Sequence, residues 1–388
     1  MKKLLHIVPD DKFIDCAIDL FDSANVENRY VCLADSDDYS FKYIKKTSLV
    51  EHVKTDSAEN LWNDPSVDLF CFHTLDYVKY QYVLSIPATK KILWLSWGYD
   101  LYSQYQNCPS VLNISCFKPL TQIYLGYSVS WKTHIKQWFR FVLHFPSRLG
   151  ELYRTKKAEY QAYCLQKRVL NRVNYISTVL PSEYDMLRKN TPIKAQYFPF
   201  QYASKRAKSD LPQMAKNADY VLVGNSATPT NNHLDILSIL EKRGITNTIK
   251  MPMSYGDKYY ADYVKGIAAN NKLDIDIITD FMERAEYISF LTHCKALVLG
   301  CMRQQALGNI TLMLSQGSKV FLYKDSVNYK FLHKVGFVVF TIEDDLTNEN
   351  INTPLTEQDI ATNRQKMDAL FGYDNVKMRL VKFLSEME

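Results

Sequence analysis

The stretch DYVLVGNSATPTNNHLDILSIL, residues 219–240, decides how the fold is read. An apolar run from Tyr220 to Val223 suits a short buried strand, Gly224-Asn225-Ser226 a tight polar turn, and the residues from Asn231, Asn232 and His233 onward an apolar-periodic helix. A strand ending in a small loop, with backbone N–H groups at a helix start, favours a phosphate. Gly-Asn-Ser is equally a plain turn and Thr/Asn a plain helix cap, so this stretch alone leaves both readings open.

Working outward, the second half repeats the pattern. LVLGCMRQQALGNITLMLSQG, residues 297–317, predicts strand, polar loop and a helix opening near Gly308 and Asn309. Arg303 lies in that loop, where its planar fork suits phosphate oxygens or a surface ion pair. Gln304 and Gln305 are site residues or ordinary loop residues. Between the two, MPMSYGD (251–257) puts Tyr255 after a strand, as half-buried packing or as a ring face for a base or sugar. DSD (35–37) and DID (274–276) superficially suggest a D-x-D metal motif, but the first looks like a turn and the second like a strand. No metal and no cofactor are expected. Glu283 and Glu286 carry no site role, and neither G-x-G-x-x-G nor a P-loop motif is present.

In the first half LLHIV, RYVCLA, VDLFCFH and KILWLSW are strand-like and separated by helical spacing, which predicts a parallel sheet. Ligands sit at the carboxyl ends of such strands. There stand His73, a base or a satisfied core histidine, and WLSWGYDLY (94–102), with Trp97, Gly98 and Asp100. Asp100 could be a general base raised by burial, or simply a helix cap.

A chain of 388 residues implies two domains. The polar, basic stretch 203–218 suggests a boundary giving residues 1–205 and 206–388, and the helical stretch 357–388 has room to pack back on the first domain. Residues 127–172 differ in kind. From 132 to 172 they hold ten bases against two acids, an excess larger than the +5 of the whole chain. Lys132, Lys136 and Arg140 are interleaved with Trp138 and other aromatics, as in an interfacial helix facing anionic lipid, or else in a solvated hairpin. Eight scattered cysteines without C-x-x-C suggest reduced thiols in the cytosol. The first residues lack a signal-peptide pattern, no apolar run is long enough to span a bilayer, and no nucleic-acid reader motif accompanies the basic stretch.

Taken together, W-x-x-W-G-x-D-L-Y (94–102), LVGNS (222–226), P-M-x-Y (252–255) and RQQ-x-x-G (303–308) resemble glycosyltransferase family 56. The resemblance implies a GT-B architecture: two facing Rossmann-like domains with parallel sheets and a deep interdomain cleft. It implies a donor held mainly by the second domain (Gly224, Asn225, Ser226, Tyr255, Arg303, Gln304, Gln305, Gly308, Asn309) and an acceptor held by the first (Trp97, Gly98, Asp100). The implied reaction moves 4-acetamido-4,6-dideoxygalactose from a dTDP-sugar to an undecaprenyl-diphosphate-linked glycan of enterobacterial common antigen or O-antigen. It takes place at the cytoplasmic face of the inner membrane. Arg303 would steady the leaving diphosphate, and Asp100, failing it His73, would take the acceptor proton. A UDP- or GDP-sugar transferase, a sugar-nucleotide epimerase and a non-catalytic assembly scaffold are the rival readings.

Overall fold

The computed structural model describes residues 1–36, 38–102, 108–126, 145–205 and 213–387. The chain divides into two units, Met1–Asn113 with His144–Arg206 and Asp368–Glu388, and Ile114–Leu143 with Ala207–Met367. Each is an α/β body around its own parallel sheet.

The first sheet runs β3-β2-β1-β4-β5-β6-β7. Its strands are β1 (Lys2–Val8), β2 (Val26–Leu33), β3 (Val50–Val53), β4 (Leu69–His73), β5 (Lys91–Leu95), β6 (Tyr175–Ser177) and β7 (Gln196–Tyr197). The central strands β4 and β5 are buried nearly end to end, as expected for a parallel sheet covered on both faces. β3, four residues reading VEHV at the sheet's edge, is too short and too polar to stand out in the sequence.

The second sheet runs β10-β9-β8-β11-β12-β13. It comprises β8 (Tyr220–Val223), β9 (Ile249–Pro252), β10 (Ile275–Ile278), β11 (Cys294–Leu299), β12 (Lys319–Leu322) and β13 (Phe340–Thr341). All its pairings are parallel. Strand order reverses between β1 and β4 in the first sheet and between β8 and β11 in the second, and such switch points open a crevice at the strands' carboxyl ends.

Two stretches lie elsewhere than a cut at residue 205 would put them. Residues 114–126 belong to the second unit, because Asp235 accepts from the backbone N–H groups of Leu120 and Thr121 and from the Thr121 hydroxyl, capping the short helix Pro119–Tyr124. The helix Tyr373–Glu386 belongs to the first unit, where Val376, Leu380 and Leu384 share a core with Leu4, Ile18, Phe21 and Leu69. The long helix Phe145–Arg172 is held to the first unit through Gln166, which donates to the Pro109 carbonyl at 2.8 Å, and Arg172, which donates to the carbonyls of Pro87 and Lys90.

Leu380 is completely buried, so Leu380→Ala removes packing that the core cannot refill. We expect a loss of about 2–5 kcal/mol in chemical unfolding. A change under about 0.5 kcal/mol would show that the terminal helix is not part of that core.

Candidate functional site

The three second-half stretches singled out in the sequence converge at the β8/β11 switch point. Gly224 closes β8 at φ +73°, and a Cβ there would lie 2.3 Å from Nε2 of His233. Only glycine lets the turn sit directly on that ring. His233 is buried, with Nδ1 3.3 Å from the Tyr260 hydroxyl, and desolvation pushes its pKa down to about 3, so it is neutral.

The loop beyond is tied from below by two asparagines. Asn231 Nδ2 donates to the Ser226 carbonyl (2.9 Å), the Ser226 hydroxyl (3.2 Å) and Thr228 Oγ1 (3.0 Å), while its Oδ1 faces the Cys301 thiol at 3.2 Å. Asn232 takes a left-handed backbone at φ 51°. Its Nδ2 donates to the carbonyls of Gly300 (2.7 Å) and Cys116 (3.0 Å), and its Oδ1 accepts the Lys118 N–H (2.7 Å). Two side chains thus join the β8 loop, the end of β11 and the segment around Cys116.

Above them the candidate donor residues contact one another. Asn225 Nδ2 donates to the Tyr255 hydroxyl and its Oδ1 accepts from Gln305 Nε2, both at 3.0 Å. Gln305 Oε1 accepts from Thr230 at 2.7 Å. Gln304 is buried, and Tyr255, with its hydroxyl held, remains 59% exposed. Arg303 is half-buried, and its positive charge opposes the rise that burial causes in the thiol pKa of Cys116 and Cys301. The helix Leu307–Gln316 opens after Ala306, itself left-handed at φ 58°. A Cβ on exposed Gly308 would meet open space, and Asn309 is turned to the Tyr287 hydroxyl at 2.8 Å. A helix start, an arginine and an exposed ring around one switch point can hold an anionic group and a flat one. The sequence reading missed Thr228, Thr230, Tyr287 and residues 116–118, whose roles arise only in the tertiary fold.

In the first unit the structure corrects two assignments. His73 is wholly buried and both ring nitrogens are occupied, Nδ1 with the Tyr202 hydroxyl (2.9 Å) and Nε2 with His6 Nδ1 (3.0 Å). Asn28 donates its amide to Asp22, so its carbonyl accepts from His6 Nε2. His6 Nδ1 then accepts from His73, and His73 Nδ1 accepts from Tyr202. Desolvation, reinforced by His6, holds His73 well below its ordinary value; it is a core histidine without contact to solvent.

Asp100 is buried too, and its oxygens accept from the Leu75 N–H (3.0 Å), Trp94 Nε1 (2.7 Å) and the Trp97 N–H (3.0 Å). Burial raises its pKa while these donors oppose the rise. Buried and accepting three hydrogen bonds, Asp100 shapes the loop. It pins Leu75 next to Thr74, a β-branched residue held at φ 81°, a strain of the kind that gathers at functional sites. Gly98 takes φ 87°, and Trp97 packs edge-on against Phe13 and Tyr202.

Asp276 of DID pairs with Lys250 and Asp274 accepts from Thr248, while Asp37 lies outside the described residues. Among the described residues no group of three His, Cys, Asp or Glu side chains is placed to hold a metal ion. Lys132, Lys136, Trp138 and Arg140 also lie outside the described residues. No described helix is long and apolar enough to cross a membrane.

Comparison with known proteins adds to this geometry. A family model described as 4-alpha-L-fucosyltransferase, glycosyl transferase group 56, matches residues 150–377. Among solved structures, Anabaena HepE in complex with UDP and glucose is similar at TM-score 0.60 and 9% identity, covering 100% of both chains. Sucrose-phosphate synthase from Thermosynechococcus elongatus is similar at 0.59 and 8%, covering 100% of this chain and 99% of that one. A glycosyltransferase from Rickettsia africae gives 0.59 and 10%, again covering 100% and 99%. At such identities the likeness shows the fold, which is GT-B.

The two glycines of the second unit separate shape from site. Gly224→Ala forces a left-handed alanine into His233, so stability should fall by at least about 1–2 kcal/mol. Gly308→Ala meets no atom and should leave stability unchanged or raised by up to about 1 kcal/mol. Melting curves of the two variants check both, and equal behaviour would refute the geometry described.

Proposed function

The chain belongs to glycosyl transferase group 56 and is a glycosyltransferase, and we propose that it moves a 4-acetamido-4,6-dideoxygalactose-like sugar from a dTDP donor to an undecaprenyl-diphosphate-linked glycan of a bacterial surface polysaccharide. The observation that carries the donor half of this reading is the Asn225–Tyr255–Gln305 network beside the open start of the helix Leu307–Gln316. It unites three of the four stretches by which the sequence resembles the family.

In this reading the backbone N–H groups at Gly308 and Asn309 and the Arg303 guanidinium receive the diphosphate, and they stabilise the charge it gains as the sugar leaves. Tyr255, oriented by Asn225, offers its ring to the nucleoside or the sugar. HepE, on the same fold, is seen with UDP and glucose, which supports a nucleoside diphosphate sugar as the class of donor. The choice of dTDP and of the deoxyamino sugar comes from the resemblance. Arginine and a helix terminus can neutralise a diphosphate without a divalent cation, so the transfer is proposed to be metal-independent.

The first unit is proposed to receive the acceptor, on the aromatic surface of Trp97, Phe13 and Tyr99 beside Gly98. A lipid-linked acceptor calls for a protein that works at a membrane. The described part of the helix Phe145–Arg172 exposes Tyr153, Tyr160 and Tyr163 among Lys156, Lys157 and Lys167, the residue types that settle at an anionic headgroup layer. We therefore place the enzyme peripherally at the cytoplasmic face of the inner membrane.

Thermal shift with dTDP, UDP, GDP and ADP, each with and without a chelator, tests the donor. At a hundred times its dissociation constant a ligand adds about 2.7 kcal/mol. Stabilisation by dTDP, indifferent to the chelator and weakened in Gly308→Ala, is expected. Stabilisation by UDP or GDP instead would replace the donor, and none at all would favour the scaffold reading. For the membrane, co-sedimentation with anionic liposomes should drop when Lys132, Lys136 and Arg140 are changed together to Glu; unchanged binding would remove that segment from the proposal.

A further inference from the structure

We propose that Asp11 is the catalytic residue that takes the proton from the acceptor hydroxyl. This rests on the reading in which the first unit receives the acceptor, and it gives to a residue outside the family-like motifs the role that Asp100 and His73 cannot fill.

Asp11 follows β1, directly at the β1/β4 switch point. One carboxylate oxygen, Oδ1, accepts the Phe13 N–H at 2.9 Å, which fixes the side chain's direction. Among the described residues Oδ2 takes part in no hydrogen bond or ion pair. The ring of Phe13, 43% exposed, stands 5.6 Å from Trp97 and 6.1 Å from Tyr202, and the charge of Asp11 is felt at the Tyr202 hydroxyl. An oriented carboxylate with one free oxygen beside an aromatic platform is what deprotonation of a sugar hydroxyl requires, since the rings can carry the sugar's apolar face while the oxygen meets its hydroxyl.

The adjacent acid shows the contrast. Asp10 accepts from the N–H groups of Lys42, Tyr43 and Ile44 and from the Tyr39 hydroxyl. Those bonds outweigh its desolvation and hold its pKa below the ordinary value. Asp11 moves the other way: burial raises it, Asp10 adds to the rise, and the Phe13 N–H and Lys12 oppose it. A raised carboxyl is the better base at neutral pH.

In the step itself the acceptor oxygen forms a bond to the anomeric carbon, and the bond from that carbon to the diphosphate oxygen breaks with its electron pair leaving on the diphosphate. The acceptor's proton passes to Oδ2 of Asp11. Nothing is oxidised or reduced.

Asp11→Asn tests this, because an amide oxygen still accepts the Phe13 N–H while the base is lost. With 4-acetamido-4,6-dideoxygalactose linked to the nucleoside diphosphate that the thermal-shift panel selects, and an undecaprenyl-diphosphate-linked acceptor, kcat should fall by about 10²–10⁴-fold. The melting temperature and the nucleotide-induced shift should stay as in the unaltered protein. The acid limb of kcat/KM, where activity is lost as pH drops through the raised carboxyl value and Asp11 becomes protonated, should vanish in the variant. Asp11→Glu should recover part of kcat. Transfer by Asp11→Asn within threefold of the unaltered enzyme, or an unchanged acid limb, would overturn the assignment and leave Asp11 a turn residue. If the unaltered protein transfers no sugar from that donor, the functional reading itself falls, and the assignment with it.

Discussion

The second unit depends on two adjacent asparagines at the end of a short turn. Asn231 and Asn232 sit where β8 and β11 part, and between them bond the β8 loop, the end of β11 and the segment at Cys116. Neither could be replaced by an apolar residue of similar size, since each is wholly buried and supplies both a donor and an acceptor to backbone or side-chain groups around it. Glycines answer them: a Cβ at Gly300 would lie 2.3 Å from the Asn231 carbonyl oxygen, and one at Gly224 would strike His233. The loops so fixed can present Asn225, Tyr255 and Gln305 as one surface without ordering them at the moment of binding, which is the condition for pre-organised recognition.

The first unit reaches the same end by a different route. A run of hydrogen bonds from Tyr202 through His73 and His6 to Asn28 crosses the sheet inside the core, and its direction is set by the Asn28 amide facing Asp22. Both histidines stay neutral because desolvation outweighs every favourable contact of their charged forms. The run stops at an amide and cannot carry a proton onward, so its contribution is to fix ring orientations beneath the loops. Asp100 adds a second tether, holding the Trp97 backbone, the Trp94 ring and the strained turn at Thr74 together.

Much of this was legible in the sequence, for reasons tied to particular residues. Buried parallel strands are nearly continuous apolar runs, so VDLFCFH and the LVLG that opens residues 297–317 disclosed themselves and located the carboxyl ends where a site belongs. β3 stayed hidden because VEHV, an edge strand, alternates too briefly to be seen. The place of residues 114–126 was hidden for another reason. Nothing local in PLTQIY says that its cap is Asp235, more than a hundred residues away. His73 and Asp100 stood open between a base and a structural role because residue type and position give the chemistry a side chain could do, whereas its neighbours in space decide how far its lone pairs are already in use.

That last distinction separates the acids and bases of this protein into two kinds. A buried polar group with all its partners is structural whatever its intrinsic chemistry, since moving it into catalysis would leave several buried donors unsatisfied at a cost of about 1–3 kcal/mol each. Asp100, buried with three hydrogen bonds, is of this kind, and Asp10, though only half-buried, is tied by four hydrogen bonds to residues 39–44. Asp11 stands next to one of them in the chain and is oriented by a single N–H. A carboxylate held in direction yet only partly satisfied suits the gain and loss of a proton, because neither protonation state requires the loop around it to rearrange. The dense tethering of its neighbours is what keeps such a group in place, so the committed acids and the uncommitted one are parts of a single arrangement.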